Sequence, residues 1–408
     1  MATAGTPPRG TKAGSSNKPQ PITITALDGF LLSGTLHLPP QPIVTTQSTQ
    51  HPGPKNNSDL SSSATHKTEV EALTKVVIIS SATATIQDFY YKFSNYLSQE
   101  LGMIVITYDN RGVGRSMPGS QQQQLSFLKA EQQRGSLPVG NATAPALPPK
   151  SNAHLAAQAQ PEKPGAGKET KEKNPLIGFE ATIVDWSMQD LPGVFNFVLE
   201  RFPHNPTLFV GHSVGGHILP AIDSYYTRNL ERCLYISVTS AYWRNMNSPL
   251  FTYWFFYMAS PVVNARYGFY PGKTLWKSME DLPKGCFETW SYWGSFKEYM
   301  LGGNPEWKPA FDRFKVPVYS LYFSDDDFSS TSAPKIMDSM PNAMRRCVGL
   351  DPIKDLNMKK VGHMGFFFNS CKEKLWKTAV HSWFMNGQAL DRKQIKELAM
   401  AASSYARL

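Results

Sequence analysis

Leu208-Phe209-Val210-Gly211-His212-Ser213-Val214-Gly215-Gly216 is the stretch on which the reading of this chain turns. The apolar run before Gly211 has the composition of a buried strand, and small residues suited to a helix start follow Ser213. Between them stands Gly-x-Ser-x-Gly. Ser213 must then sit on a very tight strand-to-helix turn with strained φ/ψ, so that its hydroxyl stands clear of the sheet. Gly211 and Gly215 flank it because a side chain at either position would collide with the neighbouring strand or helix. The helix beginning at Val214 aims its N-terminus at the site, and the Val214 N–H can bond a developing oxyanion. A glycine-rich turn around an ordinary serine would carry the same five letters. What separates the two readings is whether an acid and a histidine follow in that order.

Both do. Val316–Phe323 reads as a strand leading into Ser324-Asp325-Asp326-Asp327-Phe328. Leu356–Val361 reads as the last strand, ending in Gly362-His363-Met364-Gly365-Phe366. Ser213, an aspartate and His363 therefore each follow a strand, where a parallel sheet collects its functional groups. Asp326 is the acid of choice, two or three residues past its strand and followed by the apolar Phe328. Asp325 is the alternative, and Asp327 is expected to cap the following helix. In this arrangement the histidine takes the serine proton, the carboxylate fixes the imidazole tautomer, and an acyl-enzyme forms that water releases.

The 408 residues carry a net charge of +9 and are 41% hydrophobic, enough for one large α/β domain with insertions. Much of the basic excess lies in the tails and a central insert. No basic patch is interleaved with aromatics, so nucleic acid is not an expected partner. The four cysteines Cys233, Cys286, Cys347 and Cys371 lack metal or redox spacing and fit free thiols in a reducing compartment. No cofactor or metal is expected. Residues 1–20 show no apolar leader run, so an intracellular, cytoplasmic or peroxisomal, location is expected.

Along the chain, residues 1–20 are expected to be a disordered tail. Residues 21–39 alternate around Asp28-Gly29 as a β-hairpin, and 40–73 form a flexible loop. Val76–Ser80 and Met103–Tyr108 read as buried strands on either side of an amphipathic helix near Gln87–Glu100. Residues 117–177 read as a low-complexity, disordered insert. A helix capped by Asp190 runs to about Arg201, and Pro220 should stop the elbow helix early. Cys233–Val238 is another strand. The hydrolase core thus spans 21–116 and 178–385, with a lid at 241–312 dense in aromatic residues. Of these, Tyr242, Trp243 and Phe255 are candidates to line an acyl pocket. Residues 386–408 form a C-terminal helix and tail.

The chain resembles the α/β-hydrolase superfamily, near its serine-aminopeptidase-like and lipase-like branch, and more closely a group of predicted hydrolases. The likeness rests on Ser81-Ala82-Thr83, Asp109-Asn110-Arg111-Gly112-Val113-Gly114-Arg115-Ser116, Gly211–Gly216, Ser240-Ala241-Tyr242-Trp243, Tyr267–Lys273 and Gly362–Phe367. It implies an α/β fold with a mostly parallel central sheet, helices on both faces and a helical lid. It also implies a second oxyanion donor in the loop after the first buried strand, at Thr83 or Ala84. Similar proteins have glycine where this chain has Ala84, and an alanine is expected to fit only if its φ stays negative.

These readings converge on a serine hydrolase acting on an ester, thioester or amide of an apolar acyl group, a small-molecule substrate. A peptidase and an acyltransferase share the same machinery. The alternative is a catalytically weak or silent scaffold that binds an apolar ligand or partner. The lid is expected to make peripheral membrane contact. Ala406-Arg407-Leu408 resembles a small–basic–leucine peroxisomal address, which would make the peroxisomal import receptor a partner.

Overall fold

Continuous apolar runs become the centre of one sheet because strands covered on both faces need no polar alternation. β3 (Val76–Ser80), β4 (Ile104–Tyr108) and β5 (Thr207–His212) are buried along their whole length. β6 (Leu230–Ile236) and, beyond a large cap, β9 (Val318–Phe323) and β10 (Arg345–Leu350) extend the sheet in parallel. The hairpin of β1 (Gln20–Thr25) and β2 (Leu31–His37) adds the antiparallel edge. The resulting order of the eight strands is β1-β2-β4-β3-β5-β6-β9-β10, the α/β-hydrolase arrangement. The structure, a computed structural model, describes residues 18–41, 43–44, 73–134, 173–277, 279–328 and 332–405. The tail at 1–17, most of the expected loop (45–72), the insert from 135 to 172 and the tripeptide Ala406-Arg407-Leu408 lie outside the described residues.

The pleat divides the core. Val76 and Ile78 face one hydrophobic cluster, and Val77 and Ile79 the other. The first face carries the cap and the helix Leu191–Arg201; the second carries Tyr91–Gln99 and the C-terminal helices, whose Ile395 and Ala399 are fully buried. The cap fills the chain between β6 and β9. Its main elements are the helices Pro249–Trp254, Ser260–Tyr267 and Lys284–Gly294, with a two-stranded ribbon of β7 (Phe269–Tyr270) and β8 (Leu282–Pro283).

Three expectations are corrected. The insert opens with a helix, Gln121–Arg134, not with disordered chain. Gln121 docks it by accepting from the Leu31 N–H at 2.8 Å and donating to the Leu31 C=O at 3.1 Å, which satisfies the start of β2 where its pairing with β4 has not yet begun. The last strand is Arg345–Leu350, not Leu356–Val361. Asp351 caps a short helix, Pro352–Leu356, by accepting from the Ile353 and Lys354 N–H groups. Asp190 caps nothing. The buried Arg111 takes both of its oxygens, through Nε at 2.7 Å and the backbone N–H at 2.9 Å, while its Nη atoms reach Asp28. No helix of the described residues is long and apolar enough to cross a membrane.

Candidate active site

β5 ends at His212, and Ser213 turns the chain with φ 52° and ψ −120°. This sparsely populated conformation is held by the Ser213 N–H donating to the Ile236 C=O at 3.1 Å. The flanking glycines are sterically required. A Cβ on Gly211 would lie 2.5 Å from the Gly216 Cα, and one on Gly215 2.3 Å from the Ser80 carbonyl oxygen. The elbow helix is only Val214–His217, and a 3-10 turn over Leu219–Ala221 follows, as Pro220 requires.

The three aspartates after β9 separate by partner. Asp326 is fully buried; its Oδ2 accepts from His363 Nδ1 at 2.8 Å and its Oδ1 from the Phe328 N–H at 2.9 Å. Burial works to raise its carboxyl, but the His363 hydrogen bond and charge and the Phe328 N–H outweigh it and hold it below its ordinary value. Asp325 accepts from the Val361 and Gly362 N–H groups, both at 2.9 Å, and so grips the loop that presents His363. Asp327 pairs with Lys360 at 3.1 Å on the surface; the following helix, Ala333–Asp338, starts after Ser332, so Asp327 does not cap it. The Ser213 hydroxyl has no hydrogen-bond partner among the described residues. It and His363 face a common cavity.

Opposite the elbow, Ala82 to Thr85 form a turn closed by the Thr85 N–H donating to the Ala82 C=O at 3.2 Å. Ala84 has φ +55°, against the expectation that an alanine here needs a negative φ. The cap secures this conformation, because the Glu280 N–H donates to the Ala84 C=O at 2.9 Å. Thr83, Ala84 and Val214 all line the cavity. Their N–H groups have no acceptor among the described residues, which leaves them available to an incoming oxygen.

The cavity measures about 930 Å³ and is walled largely by apolar groups of the cap and elbow, among them Phe251, Phe255, Phe256, Trp276 and Trp290. Phe255 is part of its wall. Tyr242 and Trp243 are not: Trp243 packs on Tyr253 at 5.1 Å and under the Arg244 guanidinium at 4.7 Å, away from the cavity. Neighbouring Ala241 reaches the wall in their place. Among the described residues, no group of three or more His, Cys, Asp or Glu is arranged to hold a metal ion.

Two roles had no signal in the sequence. Asp325 looks like its two neighbours until the His363 loop folds against it. Tyr90 belongs to the apolar stripe of its helix, yet its hydroxyl lies 2.9 Å from His212 Nδ1 inside the core.

No family model and no curated protein matches this chain. It is distantly similar to several solved structures. The esterase domain of a Rhodothermus marinus protein is 11% identical, covering 93% of this chain and 99% of that one at a TM-score of 0.44. A lipase-esterase related protein from Clostridium acetobutylicum is 11% identical, covering 73% and 90% at 0.38. A thermostable carboxyl esterase from Bacillus coagulans is 10% identical, covering 81% and 90% at 0.39.

Proposed function

We propose that the chain is a serine hydrolase that cleaves an ester or thioester of an apolar acyl group, with amides as a further substrate class. The observation that carries this reading is the placement of Ser213, on its strained elbow, and of His363, held by the buried Asp326 behind it, on one largely apolar cavity. His363 takes the Ser213 proton as Oγ attacks the acyl carbon. The Val214 N–H and that of Thr83 or Ala84 hold the oxyanion. The tetrahedral species collapses, the leaving group departs with the proton from His363, and water, activated by the same ring, frees the acid. Asp326 holds the ring and stabilises its protonated form.

The purified full chain is expected to react with a fluorophosphonate probe, and Ser213→Ala and His363→Ala to lose that labelling. A folded wild type that does not label would support a ligand-binding scaffold instead. Released acid against transfer to an added alcohol then separates hydrolase from acyltransferase.

Membrane contact through the cap is part of the proposal. Leu250, Trp254, Met258 and Val262 stand 52–82% exposed at four-residue steps along Pro249–Tyr267, and Phe251 between them also lines the cavity. Co-sedimentation with phosphatidylcholine vesicles, lost in Leu250→Ser/Trp254→Ser, tests it.

A further inference from the structure

His212 is fully buried and bonded at both ring nitrogens, although it takes no part in the steps above. Its Nε2 lies 3.0 Å from the backbone carbonyl oxygen of His363. A carbonyl only accepts, so Nε2 carries the proton and donates it. Nδ1 must then be the acceptor, and the donor to it is the Tyr90 hydroxyl at 2.9 Å. That hydroxyl in turn accepts from the Ala82 N–H at 2.9 Å. One directed chain therefore runs from the oxyanion turn through the helix after β3, across the residue preceding Ser213, to the backbone of His363. Ala82, Tyr90 and His212 are buried, so the first two bonds face no solvent competition, and the last, to the His363 carbonyl, is part-buried. Burial holds the His212 ring neutral, its pKa pushed down to about 3, so the chain keeps its direction across the working pH range.

We infer that His212 and Tyr90 are positioning residues that lock the oxyanion turn, the serine elbow and the His363 loop into one register. Asp325 grips that loop from its other side through the Val361 and Gly362 N–H groups. The inference rests on the assignment of Ser213 and His363 as nucleophile and base. Removing the Nε2 donor frees the His363 carbonyl, and a shift of the ring by about 1 Å can cost about a hundredfold in rate.

The test uses the full chain, the fluorophosphonate probe and p-nitrophenyl octanoate. His212→Leu is expected to lower kcat and the labelling rate 10- to 100-fold with KM within about twofold. His212→Gln, whose amide can still donate to the His363 carbonyl, is expected to stay within about fivefold of wild type. Tyr90→Phe, which removes one oxygen and keeps the ring, is expected to fall between them, and combined with His212→Leu to add little. A merely structural role would lower the folded fraction and leave kcat per folded molecule unchanged. If His212→Leu does not fold, Tyr90→Phe decides alone. A folded His212→Leu or Tyr90→Phe with wild-type kcat and labelling overturns the inference while Ser213 still labels. A wild type that never labels overturns the assignment of Ser213 itself, and the inference with it.

Discussion

At φ +55° Ala84 occupies a region that an L side chain enters at a cost of about 1–2 kcal/mol. The turn bond from Thr85 to Ala82 and the cap bond from Glu280 hold it there. Replacing it by glycine relieves the strain but adds freedom to the unfolded chain, worth about 0.4–1 kcal/mol in the other direction. Ala84→Gly is therefore expected to raise stability by about 0.5–1 kcal/mol in urea unfolding and to leave fluorophosphonate labelling close to wild type. A less stable glycine variant would show that the alanine is not strained. The methyl group thus adds to the cost of the Ala82–Thr85 turn.

At the scale of elements, the cap sets the shape of the cavity and the sheet sets the chemistry. Phe255 sits in a π-helical turn between the helices Pro249–Trp254 and Ser260–Tyr267, with edge contacts to Trp276 at 5.5 Å and Phe287 at 5.9 Å. Its ring occupies space on the cavity wall that an acyl chain could fill. Phe255→Ala is expected to shift preference toward longer chains, read as kcat/KM across p-nitrophenyl esters from butyrate to dodecanoate. An unchanged chain-length profile would remove Phe255 from the acyl wall. The turns at Ser213 and Asp326, by contrast, follow β5 and β9 of the central sheet, and the cap braces the second of them where Asn247 donates to the Asp326 C=O at 2.7 Å.

For the whole molecule, acid is a stress with a definite sign. Burial pushes His37 down to about 4 and His212 and His217 down to about 3. Between those values and the ordinary range near 6.5, the unfolded chain binds protons that the folded chain refuses, so stability falls as pH falls. Each such histidine contributes a loss on the order of 1–2 kcal/mol between pH 7 and pH 5. Burial raises the carboxyls of Asp109 and Asp190, which pull the other way, so the histidine effect is read as a difference. His37, on β2 and outside the site, is the clean probe. His37→Gln is expected to lose about 1–2 kcal/mol less than wild type over that interval in paired urea titrations. Equal losses would mean that His37 takes up its proton without unfolding.

The sequence by itself determined the hairpin, the buried strands β3 to β6 and β9, the Ser213 elbow and the order serine, acid, histidine. Each of these is a local pattern: a run of apolar side chains, a pair of glycines around a serine, a strand ending in a polar turn. It missed β10 because an edge strand that starts with exposed Arg345 and Arg346 lacks the continuous apolar signature, whereas Leu356–Val361 carries apolar residues without being a strand. Low complexity hid the helix Gln121–Arg134, which docks through Gln121 onto the backbone of the distant Leu31. Spacing from the strand already favoured Asp326 among three adjacent aspartates, but only the tertiary structure pairs it with His363, 37 residues away, and gives Asp325 and Asp327 other partners. The same holds for Tyr242 and Trp243, which turn from the cavity, and for the chain from Ala82 through Tyr90 and His212 to His363. Such selections are made by packing across long sequence separations, which no neighbouring residues encode.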